Sequence, residues 1–161
     1  MNREILFRGF HPDENGFEKV FVNGEWIKGK WIYGFVSGLL SYFTDNKSGE
    51  ITKIDSYYMN CYYDVLASTA GQYTGKDDKN GTKIFGNDYC LVTKSGVMAW
   101  GVIKYIDACY FFVENKVQTD GMRNMIRLCD LESNGYEIQV KGNIHANPEL
   151  LEVSECIGKR S

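Results

Sequence analysis

The spacing of turn residues constrains this chain more than any other feature. Asn23-Gly24 and Asn80-Gly81 stand between short runs rich in aromatic and β-branched side chains. An Asn-Gly pair in that setting supplies the positive φ angles of a tight hairpin. Lys94-Ser95-Gly96 and Gly86-Asn87-Asp88 add further breaks downstream. A chain punctuated so often cannot hide its apolar residues along extended helices, so it must pair strands to bury them. Composition agrees: eleven Tyr, nine Phe and three Trp against two Pro suit a pleated, half-buried surface. The fold class expected is mainly β, with N-terminal hairpins, one internal helix and a short C-terminal helix. At 161 residues the chain can form one compact domain or two small lobes, divided at about 68/69.

Strand patterns can be followed along most of the sequence. Glu4 to Phe10 alternates and ends in the turn residues His11 to Gly16; Val20 to Val22 leads into Asn23-Gly24; Trp31 to Val36 follows Lys28-Gly29-Lys30. Ser41 to Thr44 and Ile51 to Ile54 flank a polar tip, and Val97 to Ile106 and Ala108 to Glu114 form a further pair. In the segment from Asp55 to Gly75 the tyrosines fit a helical face about as well as a strand, and it is read as irregular. Met122, Met125, Ile126 and Cys129 stand at helical spacing, predicting a helix within 118–131 with Asp120 as its N-cap. Tyr136, Ile138 and Val140 alternate with polar residues as a strand. Asn147-Pro148-Glu149 opens a short C-terminal helix, because Asn caps, Pro fits the first helical position and Glu suits the positive helix end.

The motifs that carry chemistry fall short. Gly24 to Lys30 has the glycine and lysine spacing of a phosphate-binding loop, but Trp31 replaces the metal-binding hydroxyl and a strand follows. Aligning Gly81 with the sixth position of a calcium loop puts Lys76 first and Asn87 twelfth, where carboxylates are needed. Neither His11 nor His145 lies in a metal or nucleophile signature. Cys61, Cys90, Cys109, Cys129 and Cys156 contain no CxxC pair, so reduced thiols are expected. No catalytic residue, metal or cofactor is therefore assigned. The first residues lack the apolar core of a secretory signal, and no apolar run approaches a membrane span of about 20 residues. The protein is expected in the cytoplasm, away from membranes.

Two surfaces are candidates for binding. Tyr57, Tyr58, Tyr62 and Tyr63 form a tyrosine-rich stretch, and tyrosine offers a large rigid contact with a polar end. Lys76, Lys79 and Lys83 surround the loop that ends in Gly81, where phosphates could sit. The formal charge of -3 disfavours a general nucleic-acid binder, and Lys28 and Lys30, like the loop lysines, read as solvated charges.

Three stretches, "REILFRG" at the start, "GQYTGKDDKNGTKIFGND" in the middle and "GNIHANPELL" near the end, resemble the YopX family of phage and prophage proteins. The usual pattern has "GLKDKNG" and "EGD" where this chain has "GKDDKNG" and "GND". The resemblance implies a mobile-element origin and a β-rich fold whose second half, about 69–161, is similar to a small SH3-like barrel. It carries over no catalytic residue. The function expected is non-enzymatic: an accessory protein that binds protein and can self-associate. The alternative is a nucleic-acid-binding barrel that regulates phage growth, using aromatic rings for bases and Lys76, Lys79 and Lys83 for phosphates.

Overall fold

The computed structural model describes residues 5–36, 43–45, 49–56 and 62–151, and their side chains except at positions 35–36, 43–45, 49–56, 62, 117 and 123. The fold is mainly β, in two antiparallel sheets with little helix. It divides into two compact units between Tyr73 and Thr74.

The first unit holds β1 (Phe7–Pro12), β2 (Glu18–Val22), β3 (Glu25–Val36), β4 (Phe43–Asp45), β5 (Gly49–Ser56) and most of β6 (Tyr62–Asp77). Strand order is β2-β3-β1-β6-β5-β4, and the end of β3 also pairs with β5, so the sheet curls back on itself. Asn23 and Gly24 take φ values of 52° and 85°, the double positive turn expected of Asn-Gly. That two-residue turn sets the register Val22↔Glu25, Phe21↔Trp26, Val20↔Ile27 and Lys19↔Lys28. Alternation then decides the faces. Val20 and Val22 pack with Phe10, Leu66, Ile27 and Trp31, while Ile32 and Val65 pack with Phe7 and Tyr63.

The strands run through two sites where the sequence suggested breaks. His11 pairs with Lys30 and Pro12 with Gly29. A Cβ on Gly29 would collide with the His11 carbonyl and lie 2.7 Å from the Phe10 ring, so this glycine permits close strand approach instead of making a turn. The irregular segment is also corrected: from Tyr62 onward it is a strand of 16 residues, paired with β1 on one side and β5 on the other. Its alternation is broken by a register shift between the Arg8 and Phe10 pairings. There Thr69 Oγ1 accepts the Phe10 N–H at 2.9 Å and donates to the Leu66 carbonyl at 2.6 Å, replacing ladder bonds with one hydroxyl.

The second unit contains β7 (Lys83–Phe85), β8 (Asp88–Lys94), β9 (Val97–Ile106), β10 (Cys109–Val117), β11 (Arg123–Arg127), α1 (Leu128–Leu131) and β12 (Glu137–Asn143). β8 to β11 form a meander, and β12 returns to pair with β8, giving the order β11-β10-β9-β8-β12. The core is Ile84, Cys90, Val92, Ile103, Phe112, Leu128 and Leu131. The helix expected within 118–131 is confined to its last turn: Arg123–Arg127 is a strand, and α1 is the four residues Leu128–Leu131. Asp120 Oδ1 accepts the Met122 N–H at 2.9 Å in a turn and caps no helix. Met122 and Met125 are 67% and 50% exposed, so helical spacing here reflected chance. The 149–151 helical turn is present, but Asn147 Oδ1 accepts from Asn143 N at 3.3 Å instead of capping it. Among the described residues no helix is long and apolar enough to cross a membrane.

Candidate binding face

The tyrosine stretch lies mostly outside the described residues. Tyr57 and Tyr58 are outside them, and Tyr62 is described only as backbone at the start of β6. Tyr63 is half-buried, with the His11 ring 5.2 Å and the Lys30 ammonium 5.0 Å from its ring centroid. His11 Nδ1 lies 2.6 Å from the Asp64 carbonyl; a carbonyl only accepts, so that nitrogen carries the proton.

The lysine loop of the second unit is built around Asp78. Its Oδ1 accepts from Asn80 N at 2.8 Å and Thr82 N at 2.9 Å, and its Oδ2 accepts from Val140 N at 3.0 Å. Gly81 alone of the Asn80-Gly81 pair has positive φ, 79°. Burial pushes the Asp78 carboxyl up, but the N–H groups of Val140, Thr82 and Asn80 and the Lys79 charge outweigh it, holding it below the ordinary value. The loop lysines face carboxylates: Lys76 Nζ is 3.8 Å from Glu132, and Lys79 Nζ is 3.6 Å from Glu137. Lys83, in β7, is half-buried. The three lysines therefore do not form one open cationic cradle.

The middle and C-terminal stretches that carry the family resemblance meet in this unit. Asp88 lies opposite Asn143 in the β8–β12 register; Asn87 N donates to the Ile103 carbonyl at 2.8 Å, and Ile144 N donates to the Asn87 carbonyl at 3.1 Å. Asn143 Oδ1 accepts from His145 N and Ala146 N at 3.0 and 2.8 Å. Tyr89 Oη, which accepts from Asn115 at 3.1 Å, donates to the Leu150 carbonyl at 2.7 Å. These side chains hold backbone together, so Asn143 and Tyr89 have structural work here.

A binding surface stands out instead on the β2–β3 hairpin, which the sequence reading passed over. Lys19, Phe21, Trp26 and Lys28 project from one face as two cross-strand pairs, all exposed. Phe21 and Trp26 are 38% and 47% exposed with ring centroids 5.3 Å apart, and Lys19 Nζ stands 4.5 Å from the Trp26 ring. Lys30, further along the same alternation, lies 3.9 Å from Asp13. On the opposite face Glu18 accepts the Trp31 N–H at 3.0 Å. A rigid aromatic pair flanked by cations on a sheet edge can take up apolar area and negative charge together. The signal was present in the sequence: a two-residue Asn-Gly turn fixes which residues oppose each other, and hence that these four share a face.

Among the described residues no group of three His, Cys, Asp or Glu is placed to hold a metal. A family model described as YopX protein matches residues 7–152. No curated protein and no solved structure matches the chain.

Proposed function

We propose that this chain, which belongs to the YopX protein family, works by binding a protein partner and not by catalysis. The observation that carries the reading is the exposed Phe21–Trp26 pair on the β2–β3 hairpin. Paired aromatic rings left partly in water forgo a share of the roughly 1.5–3 kcal/mol that full burial of a large side chain gives, and such rings are the usual anchors of protein interfaces. In this reading the protein is a phage or prophage accessory factor in the bacterial cytoplasm. Self-association through an open strand edge belongs to the same reading, since unpaired edges template further pairing.

The nucleic-acid alternative is weaker. Its phosphate contacts would come from Lys76 and Lys79, whose charges are already offset by Glu132 and Glu137.

The test is capture from the native host with tagged full-length chain, with and without nuclease, beside a Phe21→Ala/Trp26→Ala variant. A stoichiometric protein held by the wild type and lost by the variant is expected. Nuclease-sensitive nucleic acid as the main companion would overturn the reading, as would capture indifferent to both rings. Sedimentation across concentration reads self-association separately.

A further inference from the structure

We infer that the outer edge of the β2–β3 hairpin accepts an extended, acidic protein segment, which adds to β2 as a further strand. This rests on the binding reading above and specifies the partner's chemistry.

Three observations lead there. β2 is terminal in its sheet, pairing only with β3 among the described residues. One side of its backbone therefore presents N–H and C=O groups to an incoming strand, the geometry of strand addition. Next, Lys19 and Lys28 lie directly opposite one another and exposed. Like charges facing across a ladder destabilise it, and among the described residues neither ammonium group has a carboxylate within 4.0 Å. A carboxylate arriving beside Lys19, within reach of the long Lys28 side chain, turns that repulsion into attraction. Finally, the Trp26 ring is already engaged, with the Lys19 ammonium 4.5 Å from its centroid and Phe21 tilted against it at 56°.

That last contact separates two anionic partners. Single-stranded nucleic acid would suit the lysines, but it needs open ring faces on which bases stack, and it cannot use a strand edge. An extended peptide pairs with the strand edge and needs no open ring face. Its residues two apart fall on the same face, so one carboxylate meets Lys19 while the next side chain on that face lies against the exposed edge of Phe21. The segment recognised thus alternates acidic and apolar residues on one face, with small polar residues on the other.

The experiment uses the full chain and a fluorescein-labelled ten-residue peptide of repeating Glu-Thr-Val-Thr, followed by anisotropy. A peptide with Lys in place of Glu and a ten-nucleotide oligo(dT) serve as competitors. Binding by the Glu peptide is expected to weaken with salt and to fall by about tenfold in a Lys19→Gln/Lys28→Gln variant. Hydrogen exchange at the β2 amides is expected to slow when the peptide is present. Equal binding by the Lys peptide overturns the inference. So does unchanged β2 exchange, or tighter binding by oligo(dT). Failure of the peptide while Phe21- and Trp26-dependent protein capture persists sinks the acidic-strand inference and leaves the binding reading standing. Loss of both removes both.

Discussion

Replacing Asp78 by Ala is expected to destabilise the second unit by about 2–4 kcal/mol. Asp78 is 7% exposed, and its carboxylate accepts three backbone N–H groups, from Asn80, Thr82 and Val140. A hydrogen bond to a charged acceptor contributes about 1.5–3 kcal/mol when its loss leaves the donor unsatisfied. Asn80 and Thr82 are exposed, so water can replace their acceptor and each loss costs roughly 0.5 kcal/mol. Val140 is half-buried beside the register shift of β12, and its donor carries most of the loss. The urea midpoint should fall by about 1–2 M, read by circular dichroism, with faster hydrogen exchange at Val140. The charge adds a pH dependence. Because the folded carboxyl titrates below its ordinary value of 3.8, its stabilisation is complete above that pH. It is lost as pH falls from there through the folded value. The wild type should weaken below about pH 4, and an Asp78→Asn variant should lack the share of that acid limb due to this group. A midpoint within a few tenths of molar of wild type for Asp78→Ala, or an unaltered acid limb in Asp78→Asn, would refute the reasoning.

Other positions give sharper, simpler outcomes. Gly101→Ala places a Cβ against the Val113 carbonyl and 2.7 Å from the Phe112 ring; overpacking of this kind costs about 1–3 kcal/mol or more, visible as a lowered melting temperature. Cys129 is exposed and Cys90 fully buried, so a maleimide should label Cys129 in the folded chain and reach Cys90 only on unfolding, checked by peptide mass. Arg127→Gln removes an exposed ion pair to Asp130 at 2.7 Å, and the unfolding midpoint should not move measurably, because solvent screens such pairs.

Local chemistry was readable from the residues. Asn23-Gly24 adopts paired positive φ values, because Asn and Gly tolerate the left-handed region without help from the rest of the fold. Tyr136 to Val140 alternates because one face packs on the core. At Asp107 and Ala108 the turn has φ of 48° and 61°, an arrangement that Ala disfavours and that the pairing of β9 with β10 imposes. Misreading came where a more distant partner decides the outcome. The methionines near 122–126 fit a helix locally, yet pairing with β10 makes Arg123–Arg127 an edge strand.

The candidate face follows the same division. The sequence by itself determined the β class, the hairpin at Asn23-Gly24 and, through that turn, the opposition of Lys19 to Lys28 and Phe21 to Trp26. Tertiary structure alone decided that Val20 and Val22 would be the buried side, because Phe10 and Leu66 arrive there from β1 and β6. It also decided that Glu132 and Glu137 would stand beside Lys76 and Lys79. Turn geometry is set within a few bonds, whereas burial and charge pairing depend on residues that only folding brings together.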